Sequence, residues 1–266
     1  MSEQSKKQSF LGSAAILTAA VVVVKAIGAV YKIPLNNILG EVGKTYFQTA
    51  YEIYNVLLAI STAGLPLAIS KLTSQAHAQG RDNEKRKLFR TAIWLFFGLG
   101  VVGSCLMFFG AQNLADFQRN SMAAAPIRAL APAVFCVCVL SCMRGYTQGQ
   151  GNMTPTAVSQ VLEALCKLGI GLSLAWYILK KCQEPDLAAK LAARGTDGME
   201  YVAAGAIFGV TVGTILSLIF LVTYLLRHRD RDRSDDKPHS SGYLLRRILA
   251  IGVPITLGNC AMSIIT

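Results

Sequence analysis

Charged residues are scarce in this chain. Only 15% of its 266 residues are Asp, Glu, Lys or Arg, whereas soluble proteins average about 25%. Hydrophobic residues make up 53% of the chain and occur in long blocks. An ordinary soluble domain could not cover its surface with so few charges, and a disordered chain would not be this apolar. The composition therefore predicts an integral membrane protein.

Histidines and acidic residues are also few. The three histidines, His77, His228 and His239, are far apart in sequence, so no metal or catalytic cluster is predicted. The excess of basic over acidic residues gives a net charge of +11. These basic residues lie between apolar blocks and not on one amphipathic face, so nucleic acid is not a predicted partner. The glycines of residues 144–156 do not form a phosphate loop, because no strand precedes them and no G-K-[ST] follows them. The sequence thus predicts no enzyme, no cofactor and no metal site.

Long apolar runs are what the chain does contain. A membrane-spanning helix needs about 20 apolar residues, and six segments qualify: 11–35, 46–70, 89–112, 126–147, 155–180 and 201–226. A seventh begins near Leu244 and reaches Thr266. We predict an all-α, polytopic membrane helix bundle. It comprises a six-helix lobe over 1–226, a solvated cytoplasmic loop over 227–243, and the first helix of a truncated second lobe over 244–266.

Lysine and arginine are distributed unevenly between the predicted loops. With the N-terminus inside, the cytoplasmic loops carry about twice as many of these residues as the outer loops. This bias predicts a cytoplasmic N-terminus, with the loops around Arg86, Gln150 and Arg233 on the same side.

Lys25, Glu163 and Lys167 fall well inside predicted spans, where an ionisable residue costs several kcal/mol unless it is paired or hydrated. Lys25 lies about 15 residues, or about 22 Å, into the first helix. It is either a cation facing a cavity or an anchor that reaches the interface. Glu163 and Lys167 are spaced i, i+4 in the fifth span, which predicts a salt bridge between them.

Further polar residues occur near the ends of the spans. Glu52 lies one turn into the second span with Asn55 beside it, either as interfacial residues or with Glu52 as partner to Lys25 or Lys32. A polar, glycine-containing stretch, residues 144–156, follows the fourth span. The complete set of predicted cavity-lining residues is Lys25, Glu52, Asn55, Arg144, Gln148, Gln160, Glu163 and Lys167.

Small and cyclic residues add two structural expectations. Gly205, Gly209 and Gly213 form a small-xxx-small ladder that predicts a helix-packing face. Pro66 and Pro132 are predicted to lie inside spans.

Four stretches resemble a known family. They are Gly12–Leu39, Ser61–Lys71 (STAGLPLAISK), Arg128–Pro132 (RALAP) and Arg144–Glu163 (RGYTQGQGNMTPTAVSQVLE). They resemble the sporulation stage V protein B-like polysaccharide transporters. That family belongs to the multidrug/oligosaccharidyl-lipid/polysaccharide (MOP) exporter superfamily, which also contains the lipid II flippases.

The resemblance implies both a fold and a function. Two six-helix lobes would face each other across a cavity, and this chain resembles the N-terminal lobe plus the start of the second. The implied substrate is a lipid-linked saccharide with an anionic pyrophosphate head group, moved by alternating access across the bacterial cytoplasmic membrane. Lys25 falls where flippase relatives carry a cavity arginine. Membrane lipids and cell-wall synthesis proteins are the implied partners.

Other functions remain open at this point. One alternative is a cation-coupled multidrug exporter of the same superfamily. A buried acidic residue in the first helix would favour this interpretation, and none is present. A membrane-bound transferase would need an acidic site, and only Asp230 and Asp232 resemble one. A non-transporting scaffold for envelope or spore-wall assembly is a further alternative. We also expect these 266 residues to be an incomplete transporter.

Overall fold

The computed structural model describes residues 3–62, 64–193, 195–228 and 235–265. Within these ranges the chain is helical and contains no strand, which confirms the predicted all-α fold. The α-helices are α1 (Glu3–Thr62), α2 (Leu65–Ala78), α3 (Asp82–Phe109), α4 (Ala111–Phe117), α5 (Ala124–Gly149), α6 (Thr154–Cys166), α7 (Leu172–Cys182), α8 (Pro185–Ala192), α9 (Met199–Arg227) and α10 (Ser241–Ile265). A 3₁₀ turn (Ser121–Ala123) precedes α5, and a π-helix (Lys167–Gly171) joins α6 to α7.

The first two predicted spans are the two arms of a hairpin within α1. Gly40 has φ 58° and ψ −166°, a conformation that breaks the helix and is open to glycine. Tyr31 and Tyr51 would lie about 30 Å apart on a straight helix. Both rings instead contact the ammonium group of Lys167, at 5.1 and 4.8 Å. The chain therefore reverses direction around Gly40 without a long loop.

Five helical segments among the described residues are long and apolar enough to cross a membrane. The first, Gly12–Ala59, contains both arms of the α1 hairpin, and the other four correspond to the third to sixth predicted spans. The second span was predicted to continue to residue 70, and this is wrong. The helix ends at Thr62, and Pro66 begins the separate helix α2 instead of lying inside a span. Proline is tolerated there because the first turn has free amide groups in any case.

Helices α5 and α9 form the centre of the bundle. Of their apolar windows, 67% and 56% of residues are buried, against 28% or less in the other spans. The glycine ladder of α9 explains its close packing and confirms the predicted packing face. A Cβ atom on Gly209 would lie 2.3 Å from Gly171 Cα of the π-helix, and one on Gly213 would lie 3.0 Å from the carbonyl oxygen of Glu163. Only glycine permits this approach.

The first part of the polar stretch 144–156 belongs to a helix. Helix α5 continues to Gly149, so Arg144 and Gln148 are helical. Gly145 and Gly149 face α2, where added Cβ atoms would come within 2.6 Å of the carbonyl oxygens of Pro66 and Ser70. The glycines therefore allow α2 to pack on α5, and the turn begins only at Gln150.

The described part of the connection between α9 and α10 packs against the start of α3. The Asp236 carboxylate accepts hydrogen bonds from the backbone N–H groups of Asn83 and Glu84, at 3.1 and 2.9 Å. Such an interaction satisfies free amides at the start of α3. His239 Nδ1 lies 3.1 Å from Glu84 Oε2. The loop was predicted to be solvated, and for this part of it the prediction is wrong. Asp230 and Asp232 lie outside the described residues.

Helix α10 forms where the seventh span was predicted. It contacts the break between α1 and α2, where the N–H of Gly64 donates a hydrogen bond to Thr256 Oγ1 at 3.1 Å. A Cβ atom on Gly64 would lie 2.2 Å from the carbonyl oxygen of Gly252, and one on Gly252 would lie 3.2 Å from Leu65 Cα.

Candidate functional site

A cavity of about 400 Å³ lies between the first arm of α1, α5 and the α6–π-helix segment. Its described lining residues are Val21, Val24, Lys25, Ile27, Gly28, Tyr31, Arg144, Gln160, Glu163, Ala164 and Lys167. Five of the eight predicted cavity residues are therefore brought together: Lys25, Arg144, Gln160, Glu163 and Lys167. We call this space the Lys25 cavity.

An arginine joins α5 to α6 at one side of the Lys25 cavity. Arg144 Nη2 donates to Glu163 Oε2 at 3.1 Å, and Arg144 Nε donates to Ser159 Oγ at 2.9 Å. The side chains of Arg144 and Glu163 keep 16% and 27% of their exposure. The predicted Glu163–Lys167 salt bridge is therefore wrong. The carboxylate reaches across to α5, which sequence spacing within one helix could not indicate.

Lys167 is held by aromatic rings. Its ammonium group lies 5.1 Å from the ring centroid of Tyr31 and 4.8 Å from that of Tyr51, which is cation–π geometry. Tyr31 is 2% exposed, and neither hydroxyl group has a hydrogen-bond partner in the described structure. Sequence reasoning missed both tyrosines as neighbours of Lys167, because only the fold of the α1 hairpin brings them together.

Lys25 is exposed and forms no ion pair with any residue that the structure describes. It lies about 22 Å from the start of its span, and Lys167 lies about 20 Å from the start of α6. These similar depths match their position in one cavity. Three cations and one carboxylate line the space, so positive charge is in excess.

Three predicted residues do not line the Lys25 cavity. Glu52 is exposed and accepts a hydrogen bond from Gln48 Nε2 at 3.2 Å, and no ion pair joins it to Lys25 or Lys32 in the described structure. Asn55 is exposed on the following turn. Gln148 is half-buried, one turn after Arg144 on α5. Of the two alternatives for Glu52, the contact with Gln48 and the exposed position favour an interfacial residue.

The chemistry available in the Lys25 cavity is that of binding. Ammonium and guanidinium groups attract anions, and Gln160 can both donate and accept hydrogen bonds. Among the described residues, no group of three or more His, Cys, Asp or Glu side chains is placed to hold a metal ion.

Comparisons with known proteins agree with this architecture. The model of the family described as "Polysaccharide biosynthesis protein" matches residues 10–266. The chain is 29% identical over 216 residues to Stage V sporulation protein B of Bacillus subtilis, covering 81% of this chain and 39% of that protein. It is 30% identical over 174 residues to Lipid II flippase MurJ of Bacillus subtilis, covering 62% of this chain and 32% of that protein. The chain thus spans less than half the length of these curated relatives.

Solved structures show the same fold. A MOP superfamily transporter from Pyrococcus furiosus superposes with a TM-score of 0.71 at 17% identity, over 97% of this chain and 54% of that one. The resemblance is confirmed, and the described helices share the fold of such transporters over about half the length of the solved chain. The family match over nearly all its length, with spans that cross the membrane repeatedly, makes this chain a multi-pass membrane member of the polysaccharide biosynthesis protein family.

Proposed function

We propose that this chain forms the first lobe of a flippase for a lipid-linked oligosaccharide or a peptidoglycan precursor in the bacterial cytoplasmic membrane. One observation carries the proposal: the Lys25 cavity holds more cations than carboxylates within the membrane-spanning helices. Intramembrane charges are costly, so a cluster with excess positive charge favours an anionic ligand. The names of two relatives, a sporulation protein and a lipid II flippase, support the same substrate class.

The physical problem of such a substrate is its head group. A pyrophosphate-linked sugar is polar and anionic, and it cannot cross hydrocarbon without replacing its hydration. In our proposal Lys25 and Lys167 meet the phosphates, Gln160 meets sugar hydroxyls, and Arg144 with Glu163 holds the wall of the cavity in place. The lipid tail stays in the bilayer.

Transport then needs movement and no covalent step. A second lobe beginning at residue 244 would face the first, with residues 227–243 as the connection between them. Rocking of the lobes would open the Lys25 cavity to alternate sides of the membrane. The N-terminus is cytoplasmic in this scheme, and cell-wall synthesis proteins are the partners that would supply or consume the substrate.

The test is flipping of a fluorescent lipid II analogue in vesicles reconstituted with the protein expressed from its intact genomic locus. We expect Lys25→Ala to abolish flipping and Lys25→Arg to retain part of it, because a cation at this depth contacts the phosphates. Lys44→Ala is the matched control, since Lys44 is exposed and lies in the second arm of the same hairpin outside the cavity lining.

Three outcomes would contradict the proposal. Full activity of Lys25→Ala would reduce Lys25 to a membrane anchor. Export of a cationic dye without flipping of the lipid analogue would indicate a multidrug exporter. Loss of cell-wall or spore-wall assembly in a deletion strain, with no flipping by the purified protein, would indicate a scaffold.

A further inference from the structure

A second cavity lies at the end of the bundle where α3 begins and where α5 and α9 end. Its volume is about 350 Å³, and it shares none of its described lining residues with the Lys25 cavity. Helices α3 and α9 form its two sides, and α5 forms its floor through Met143 and Tyr146. The ring of Tyr146 stacks on Phe89 of α3, with centroids 4.3 Å apart. We call this space the α3–α9 groove.

The rim of the α3–α9 groove is basic. Arg86 and Arg90 lie one turn apart on α3, and His228 follows α9 on the opposite side. No Asp or Glu is among the described lining residues. Arg90 is exposed and forms no ion pair with any described residue. Lys85, near the same end of the bundle, is paired with Asp82 at 2.8 Å.

Apolar side chains line the groove beside the arginines. They include the stacked rings of Phe89 and Tyr146 together with Met143 and Val222. These residues join a buried aliphatic cluster that continues towards the middle of the bundle. Trp94, one turn after Arg90, is 73% exposed, as is typical of an aromatic side chain at the membrane interface.

This combination of cations and apolar side chains fits one kind of occupant. Arginines beside an apolar lining that continues into the buried cluster match the phosphate and the acyl chain of a phospholipid. Basic pockets between spanning helices bind anionic lipid head groups in this way. A zwitterionic lipid would bring its own ammonium group towards Arg86 and Arg90 and bind less well.

We propose that the α3–α9 groove is a binding site for an anionic phospholipid, with its phosphate at Arg86 and Arg90 and one acyl chain along Phe89, Met143 and Val222. The bound lipid fills the gap between α3 and α9 and so links the two helices that flank α5. The site is separate from the Lys25 cavity, and its occupancy does not depend on what that cavity carries.

Native mass spectrometry of the purified protein tests this, with phosphatidylglycerol and phosphatidylcholine of identical acyl chains as probes. We expect tighter binding of the first phosphatidylglycerol molecule. Arg90→Gln should weaken it about fivefold and Arg86→Gln with Arg90→Gln about 25-fold, because a cation near the membrane surface contributes roughly 1 kcal/mol to anionic lipid binding. Binding of phosphatidylcholine should not change.

The control variant carries Arg128→Gln and Lys190→Gln, which removes the same charge from exposed positions outside the groove. It should bind phosphatidylglycerol as the wild type does. Equal binding of the two lipids to the wild type, or equal losses in the groove and control variants, would overturn the proposal. Displacement of phosphatidylglycerol by millimolar glycerol 3-phosphate would also overturn it, since a soluble phosphate would then suffice. The single Arg90→Gln change affects only an exposed side chain, so a folding defect in the double variant leaves the test intact.

Discussion

At the residue scale, a charge inside a membrane needs a partner or access to water, and Arg144 and Glu163 are paired with each other and remain partly exposed. Each is partly exposed to the Lys25 cavity, and Ser159 takes a further hydrogen bond from the guanidinium group. Desolvation of the pair is therefore incomplete, so its contribution to stability falls below the 3–5 kcal/mol lost when one partner of a fully buried pair is removed.

A double-mutant cycle measures this pair. We expect Glu163→Gln to lower the free energy of unfolding by roughly 1–3 kcal/mol, because it leaves Arg144 without its counter-charge. In the variant that also carries Arg144→Met, much of this loss should be recovered. The same cycle with Lys167→Met should show a smaller coupling, since Lys167 contacts aromatic rings instead. Unfolding in mixed micelles is the measurement, and additive losses for Arg144 and Glu163 would contradict the ion pair.

The Tyr31→Phe change distinguishes an effect on stability from an effect on transport. Its ring supports Lys167, but its buried hydroxyl group has no hydrogen-bond partner in the described structure. A buried unsatisfied hydroxyl costs about 1–3 kcal/mol. Tyr31→Phe keeps the ring and should therefore leave the protein equally stable or more stable. If the hydroxyl binds substrate or water during transport, flipping should fall in the same variant. Destabilisation by Tyr31→Phe would show that the hydroxyl group already has a partner.

Sequence alone identified Lys25, Arg144, Gln160, Glu163 and Lys167 because polar residues are rare and costly in apolar spans. It could not identify their partners. Glu163 had a correctly spaced lysine in its own helix, yet the geometry of α5 against α6 gives it Arg144. Tyr31 and Tyr51 flank Lys167 only because the chain reverses at Gly40.

At the element scale, glycine decides how closely the helices approach. Periodicity and apolar length were enough to predict the spans and the ladder of α9. They could not predict the break after Thr62, because an apolar run looks the same whether one helix or two cross it. The break depends on α10, whose Thr256 hydroxyl group accepts the N–H of Gly64. Likewise, Asp236 completes the start of α3 from a loop more than a hundred residues away in sequence.

Gly209→Ala tests the packing of α9 on the π-helix. The new methyl group would lie 2.3 Å from Gly171 Cα, which is backbone and cannot rotate away. We expect a loss of about 1–3 kcal/mol in unfolding free energy, typical of an overpacked contact. Gly98→Ala is the matched control, because nothing lies within 4 Å of its added methyl group on α3. That change should be neutral or stabilise by up to about 1 kcal/mol, since alanine restricts the unfolded chain. Equal effects of the two changes would contradict the close approach.

At the scale of the whole molecule, the orientation in the membrane decides which side of the membrane each of the two cavities faces. The α3–α9 groove opens at the end of the bundle that the lysine and arginine distribution places in the cytoplasm. A cytoplasmic N-terminus would therefore expose the groove to lipids of the inner leaflet. It would also place Arg144, near the end of α5, on the side where a lipid-linked precursor made in the cytoplasm arrives.

Single-cysteine labelling in intact cells tests this orientation, on a background in which all seven native cysteines are replaced. Position 119 lies between α4 and α5 and position 237 lies between α9 and α10, and both side chains are exposed. We expect an impermeant maleimide to label Arg119→Cys in intact cells and Lys237→Cys only after permeabilisation, because the 28 residues of α3 span about 42 Å. Val102→Cys, exposed within α3, is the control and should stay unlabelled, since lipid surrounds it. Labelling of position 237 from outside would show that the protein has the opposite orientation in the membrane. The basic groove would then face the outer leaflet, against the positive-inside bias, and the Lys25 cavity would receive its substrate from the other side.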